Sequence, residues 1–541
     1  MPAQTALILL LLFPAWALAA CGDPATPVGQ VQGAGATSPL QHKTVTLEAR
    51  VTGVFTGPGQ WRGFYLLEDP GDQDGNPRTS EGLFVFAPEA EVRRGQRVRL
   101  SGRVKEYHGL TEVVAGKALQ PCGTYTPQTP PALNLAELTP DSLEARESMP
   151  VRLEAATIID LYHLGRFGVL SLAARRPFVS DPGSPGMSVL LDDGRRTQHV
   201  AFSSLPLQPQ PEQRPPRRGD RVSGGPVILD YRYGDWRLQP VAPLQWVAAN
   251  PRPEAPDAPS PGTLRVAAFN LHNYFNGPDF PTSRGVKSRA EYVRQTEKLV
   301  AAIQGLKADV LAVAELENDG SEPHPAGAQL ADALDGQWRW LQPPEGHLGT
   351  DAIAVGILYN RDRVEPVGKA RVPESWARGN RRPVAQRFRA RADGVPFILV
   401  PVHLQSKRCH GKQKAIVQGC SNDSRVRAAR LLAQWLANHY PGEPVVLAGD
   451  FNAYAGEPPL QALQEAGFRR ILPGREAEDD YTYVYRGRAG ALDHILVTAE
   501  AADRLRDRGV WHVNADEWRG LEGASGPWRS SDHDPVFVDL R

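Results

Sequence analysis

An apolar run, Pro444-Val445-Val446-Leu447-Ala448, ends in Gly449-Asp450-Phe451-Asn452 and releases the chain into a loop carrying Ala453-Tyr454. About eighty residues later comes a second polar cluster, Ser531-Asp532-His533-Asp534-Pro535. An Asp and an Asn at the end of a buried strand, with an Asp-His pair near the end of the chain, suit cleavage of a phosphate ester assisted by a divalent cation. That chemistry needs oxygen ligands for a hard metal, a base for water and donors for the phosphate.

The same arrangement recurs between these motifs. Asn270 ends one apolar run, Glu315 a second and His403 the run from Ile398 to Val402, while Asp493-His494 opens Ile495-Leu496-Val497 and Asp532-His533 precedes Val536-Phe537-Val538. Any one of them would be an ordinary strand-end cap or turn former. Together they place carboxylates, amides and imidazoles at sheet ends within one stretch of chain, which predicts one shared site. His494 alternates to the face opposite Asp493 and is expected to be structural or solvated, as are His272, His410 and His439.

The elements that position these groups follow from apolar periodicity. From Leu264 onward, strands alternate with helices. Tyr292, Thr296, Leu299, Ile303 and Leu306 repeat at helical spacing, and a second helix spans about Arg425 to His439. Buried strands are predicted at Leu264 to Phe269, Val310 to Ala314, Ile353 to Leu358 and Phe397 to Val400. No Gly-rich loop follows the first strand, which argues against a doubly wound nucleotide fold and for an α/β sandwich with a mixed sheet.

The preceding chain has a different texture. Short alternating strands at 45–51, 63–67, 82–86 and 97–104 are separated by Gly, Pro and Asp turns, predicting an OB-like barrel over 43–125. Residues 126–250 read as a second β-rich domain, 251–262 as a stiff Pro-rich linker, and 263–541 as the catalytic domain. Residues 21–42 are small and polar and read as a tether. Residues 1–20 read as a signal peptide, since the apolar core is too short to span a bilayer comfortably. Leu18-Ala19-Ala20-Cys21 has the form of a lipoprotein cleavage site, so lipidation of Cys21 is expected, with cleavage after Ala19 and release as the alternative.

The chain has 541 residues with 61 basic and 61 acidic side chains, so net charge says nothing about a nucleic-acid partner. Four cysteines fit an oxidising compartment. Cys409 and Cys420 enclose a short polar loop and form the natural disulfide pair, which leaves Cys122 as an odd thiol. Charge is local instead. Between Arg371 and Arg430 there are fourteen Lys and Arg against Glu374, Asp393 and Asp423, and the stretch brackets His403. Beside a phosphodiesterase site it reads as a groove for backbone phosphates, with Arg381, Arg382 and Lys407 the assigned contacts.

With these motifs in place, the chain from Thr263 onward resembles the endonuclease/exonuclease/phosphatase superfamily. The match runs through Asn270, Glu315, His403, Gly449-Asp450-Phe451-Asn452, Asp493 and Ser531-Asp532-His533. Glu315-Leu316-Glu317-Asn318, His403-Leu404-Gln405-Ser406-Lys407, Asn514-Ala515-Asp516-Glu517 and Leu229-Asp230-Tyr231-Arg232-Tyr233-Gly234 resemble signatures of large bacterial extracellular nucleases. The resemblance implies a DNase I-like four-layer α/β sandwich preceded by one or two small β domains. It implies Asn270, Glu315 and Asp532 as ligands of Mg²⁺, Mn²⁺ or Ca²⁺, and Asp493 with His533 as the base unit. Asp450 would hold the nucleophile, Asn452 would donate to the phosphoryl oxygen, His403 would be a second acid or a donor to the leaving group, and Asp351 would support His403. The implied activity is hydrolysis of phosphodiester bonds in extracellular DNA, with RNA a second candidate, largely without regard to sequence. Two alternatives stand beside it. One is a phospholipid or sugar-phosphate phosphoesterase, against which Tyr454 replaces the Arg usual in inositol-phosphate phosphatases; the other is a surface lipoprotein that binds nucleic acid without cutting it.

Overall fold

The computed structural model describes residues 20–181, 186–199, 205–208, 214–320, 322–392, 394–411, 418–471 and 480–541. The apolar segment of the expected signal peptide lies outside them, as do Lys412 and Lys414 of the basic stretch. Among the described residues no helix is long and apolar enough to cross a membrane.

In the C-terminal half two six-stranded sheets pack face to face. The first runs, edge to edge, Trp338–Trp340, Ile353–Asn360, Val310–Glu317, Leu264–Tyr274, Val536–Leu540 and Leu505–Val510. The second runs Val364–Arg371, Ala385–Ala390, Pro396–His403, Val445–Asp450, Asp493–Val497 and Arg469–Ile471. Each sheet has one parallel pair at its centre, Leu264–Tyr274 with Val310–Glu317 and Pro396–His403 with Val445–Asp450.

Strand alternation builds the layers. Val266, Ala268, Ala312 and Ile357 face Leu399, Val446, Ala448 and Ile495 across the gap between the sheets. The intervening residues Ala267, Phe269, Leu311 and Val313 turn outward onto Leu299 and Ile303 of the helix Arg289–Leu306. On the other side Ile398, Val400, Val445 and Leu447 pack on Leu432 and Leu436 of the helix Asn422–His439. Strands buried on both faces must be apolar at every position, which is why they read as continuous runs. The order is helix, sheet, sheet, helix: the four-layer sandwich.

Thr44–Phe55, Gly63–Leu67, Gly82–Phe86, Leu110–Thr124 and Gln96–Tyr107 close, in that spatial order, into a five-stranded barrel. The stretch read as a tether is partly a plug, because the helix Val28–Gln32 buries Val28 and Val31 in the barrel core. The cysteine assignment also changes. Cys409 pairs with Cys420, but Cys21 pairs with Cys122 across a sequence separation of 101, and no free cysteine remains among the described residues. Cys122 is therefore not an odd thiol. A sulfur in this disulfide cannot also carry a thioether-linked lipid, so the structure is at odds with lipidation of Cys21.

The second β region forms a seven-stranded sheet that closes on itself, since Arg221–Arg232 pairs with Pro150–Asp160 as well as with Asp235–Pro240 and Gln245–Val247. It is joined to the sandwich by buried charge. Asp516 meets Arg176, and Glu517 meets Arg217 at 2.8 Å and Arg252 at 2.9 Å. Pro177–Val179 also lies beside the hairpin Tyr483–Tyr485/Arg488–Gly490. Phe178 bridges Ala489 in parallel, Val179 N–H donates to Ala489 O at 2.8 Å, and Ala489 N–H donates to Pro177 O at 3.0 Å. The Pro-rich linker is pinned as well: Arg265 donates to Asp257 O at 2.7 Å and Lys307 to Pro256 O at 2.8 Å.

Candidate active site

Sheet topology accounts for the convergence of the motifs. Asn270 and Glu315 lie toward the C-terminal ends of the parallel pair in the first sheet, and His403 sits opposite Asp450 at the ends of the pair in the second. Antiparallel neighbours begin where these strands end, so Asp493 lies opposite Asp450 and the Asp532-His533 segment enters beside Asn270. Gly449 is required by this close approach. Its φ is +147°, and a Cβ there would lie 2.1 Å from Val402 O. Glu315 and Asn452 adopt left-handed backbone, with φ of 60° and 47°, a conformation that carries strain and gathers at functional sites.

The best-defined unit is Asp493 with His533. The imidazole Nδ1 lies 2.7 Å from Asp493 Oδ2, so Asp493 fixes the tautomer and leaves Nε2 as the working nitrogen. Thr482 Oγ1 donates to the same carboxylate oxygen at 2.6 Å and accepts from the N–H groups of Leu492 and Asp493. The Tyr483 ring covers His533 at 4.7 Å between centroids. Behind the pair, Asn514 donates to His533 O at 2.7 Å and accepts from Ser530 N–H at 2.8 Å, while Ser531 Oγ donates to Asn270 O at 2.7 Å. Burial opposes charge on His533, but Asp493, Asp450 and Asp532 outweigh it and raise its pKa well above the ordinary histidine value.

Asp450 is fully enclosed and burial pushes its pKa up to about 7. Asn452 donates to it through its backbone at 2.8 Å and its amide at 3.2 Å, and the Asn270 amide donates at 3.3 Å. His403 Nε2 lies 3.5 Å from Asp450. Burial, reinforced by Arg381, His533 and Arg284, holds His403 well below its usual pKa and favours the neutral imidazole.

Oxygen donors dominate the site, as a hard cation requires. Asp532 stays ionised: burial works against its charge, but His272, His533 and Arg529 hold it well below the usual carboxylate range. Glu315 Oε2 accepts from Asn273 N–H at 2.9 Å, which anchors one oxygen. Among the described His, Cys, Asp and Glu residues, the group close enough to share one ion is Asp450, Asp493 and His533, with ligand atoms within 4.8 Å of one another. Asp493 Oδ1 is buried there without a hydrogen-bond partner among the described residues, an acceptor that fits a cation. The cluster that fits a divalent ion is thus Asp450, Asp493 and His533; Asn270, Glu315 and Asp532, the ligands expected from the sequence, are not among the residues of this cluster.

Three sequence assignments change. Asp351 does not hydrogen-bond His403, whose Nδ1 has no partner among the described residues; it pairs instead with Arg284 and Arg381, each at 3.4 Å. Arg382 is held by Pro373 O and Glu345, and Lys407 by Glu457 at 2.7 Å, so neither offers a free charge to phosphate. Much of the basic stretch is similarly committed, Arg387 to Glu443 and both Arg389 and Arg391 to Glu365. Arg425, fully buried, donates to the carbonyls of Cys420 and Gln418 and holds the loop after His403. Arg381, which pairs with Asp351 and donates to Leu404 O at 3.2 Å, lines an open cleft with Glu315, Asp351, Arg284 and Arg408.

His494 is structural, as expected, bonded to Ala453 O at 2.8 Å and Arg470 at 2.9 Å, and burial lowers its pKa to about 3. Sequence reasoning missed Thr482 and Tyr483. The available signal was Tyr481-Thr482-Tyr483, alternating aromatics around a hydroxyl, eleven residues before Asp493.

A four-layer sandwich with carboxylates, amides and a paired histidine at the ends of its central strands defines a hydrolase of phosphate esters. Residues 267–533 match the model of the Endonuclease/Exonuclease/phosphatase family, and this half of the chain belongs to that family. No curated protein matches the chain. Similar solved structures include an endonuclease/exonuclease/phosphatase family protein from Bacteroides thetaiotaomicron, 19% identical over 52% of this chain and 98% of that one, with a TM-score of 0.38. A mannosyl-6-phosphatase of the same organism is 19% identical over 51% of this chain and 99% of its own, TM-score 0.38. TDP2 of D. rerio, complexed with a single-strand DNA product, is 14% identical over 52% and 99%, TM-score 0.36.

Proposed function

We propose that the protein is an exported, cation-dependent nuclease that hydrolyses phosphodiester bonds of extracellular DNA, and of RNA as a second substrate, largely independent of sequence. The observation that carries this reading is the Asp493–His533 pair facing Asp450, Asn270 and His403 at one sheet end. Asp493 orients the imidazole so that Nε2 takes a proton from water, while Asp450 accepts a hydrogen bond from the same water and directs its lone pair. Neutral His403 donates to the leaving group as charge builds, while the Asn452 amide, which donates to Asp450 and to Leu404 O, holds Asp450 in place. A divalent cation, when bound, supplies positive charge to the phosphate and offsets the carboxylates that raise the pKa of His533. Two disulfides support export to an oxidising compartment. The engaged sulfur of Cys21 favours release over a lipid anchor.

The test is nicking of supercoiled plasmid with Mg²⁺, Mn²⁺, Ca²⁺ or EDTA, beside Asp450→Ala. Metal-dependent nicking that the variant loses supports the reading. A folded protein inactive with every metal would overturn it in favour of a lipid or sugar-phosphate ester.

A further inference from the structure

The hairpin Tyr483–Tyr485/Arg488–Gly490 leads from the reaction centre to solvent. Residues two apart in a strand share a face and lie about 6.5 Å apart along it. Tyr483 covers the ring of His533, so Tyr485 lies one step further out on the same face. Tyr485 is 55% exposed, one of few large apolar side chains left open, and Arg486 sits over its ring at 5.4 Å. Arg486 and Gly487 form the two-residue turn, both with positive φ, the tight connection that matches the twist of its strands.

An exposed tyrosine alone needs no explanation. This one is held in place at some structural expense. Gly487 packs so closely on Ile159 of the second β region that a Cβ would stand 2.9 Å from it, and Pro177–Val179 hydrogen-bonds to the opposite strand. Three residues beyond Ile159, within about 10 Å by chain length, Tyr162 is 71% exposed. A rigid mount that holds an aromatic ring open, beside a guanidinium and one strand step from Tyr483, the ring over His533, matches what unpaired bases and their phosphates need: a flat stacking surface and a positive charge.

We propose that Tyr485 and Arg486 form a stacking subsite for a nucleobase flanking the cleaved phosphate, so that the enzyme prefers nucleic acid with unstacked bases, single strands or frayed ends, over base-free phosphodiesters. This rests on the nuclease reading and specifies its substrate. Stacking on an aromatic ring is tolerant of base identity, so the subsite adds affinity without sequence preference.

The experiment compares Tyr485→Ala, Tyr485→Phe and the unaltered protein on a ten-nucleotide single-stranded DNA and on bis(p-nitrophenyl) phosphate, a diester without bases. Loss of one base–aromatic stack should lower the ratio of kcat/KM for oligonucleotide over diester by roughly 5- to 100-fold in Tyr485→Ala, with Tyr485→Phe restoring it. In EDTA, fluorescence anisotropy of the labelled oligonucleotide should weaken by a similar factor. An unchanged ratio and unchanged anisotropy in Tyr485→Ala would overturn the subsite while leaving the nuclease reading intact. Cleavage of the diester but not the oligonucleotide by the unaltered protein would overturn both.

Discussion

Replacing Asp516 by Ala tests whether the β region is part of the working enzyme. The carboxylate has no exposed surface and is bound from both sides of the junction, by Arg176, by Tyr481 Oη at 2.8 Å and by Asn250 at 2.7 Å, with Arg217 at 3.9 Å. Arg176 and Arg217 hold its pKa well below the usual carboxylate range despite burial. Removing one partner of a buried, hydrogen-bonded ion pair costs about 3–5 kcal/mol, because the remaining charge stays desolvated. Arg217 retains Glu517, so the loss falls mainly on Arg176, which is 16% exposed, and the lower half of that range is expected. About 3 kcal/mol is a large share of the roughly 5–15 kcal/mol that keeps a domain folded. A double-mutant cycle with Arg176→Ala, read by urea unfolding, should give a coupling energy of about 1–3 kcal/mol. The kcat should fall in both single variants, since Tyr481 adjoins Thr482, the hydroxyl that braces Asp493. A coupling below about 0.5 kcal/mol, with kcat unchanged, would refute the argument.

Asp493→Asn keeps the shape of the pair but removes the charge that selects the His533 tautomer; kcat should fall by roughly 10²- to 10⁴-fold with little change in KM, and a loss under tenfold would remove His533 from the role of base. Glu147 is 1% exposed and receives hydrogen bonds from Thr111 N–H at 3.2 Å and Gln32 at 3.4 Å, yet burial, with Glu144 and Asp230 nearby, raises its pKa well above the usual value. The folded state therefore keeps a proton that the unfolded chain releases above about pH 4.5, and stability drains away as pH rises through that window. Glu147→Gln keeps both acceptor contacts and should raise Tm at pH 8 more than at pH 5; an equal change at both would refute this.

Legibility followed the range of the interaction. Asp450, Asp493 and His533 could be read because strand ends are marked by apolar runs, and two parallel pairs with antiparallel neighbours bring such ends to one edge. Thr482 supports Asp493 from a three-residue strand too short to show periodicity. Lys407 and Arg382 looked free because a sequence does not reveal which acid a long side chain meets; Glu457 and Glu345 lie 50 and 37 residues away. The pairing of Cys21 was hidden for a related reason. Its small-residue setting is local, while its partner Cys122 comes into reach only when the barrel closes. Asp516 belongs to a motif resembling a signature of large extracellular nucleases, yet Arg176, which clamps it, lies 340 residues earlier.

The three residues Pro177–Val179 have a consequence for where this enzyme ends. By its prolines the chain invites a cut near residue 262, and a fragment starting there would contain every catalytic side chain. It would also strip Ala489 of its borrowed neighbour, leaving the hairpin with a bare edge whose N–H and C=O groups are open to pairing with another copy. Asp516 and Glu517 would face water without Arg176 and Arg217. The covalent seam and the physical seam thus fall in different places, and the hairpin beside the site is edged by a segment that precedes the sandwich in sequence.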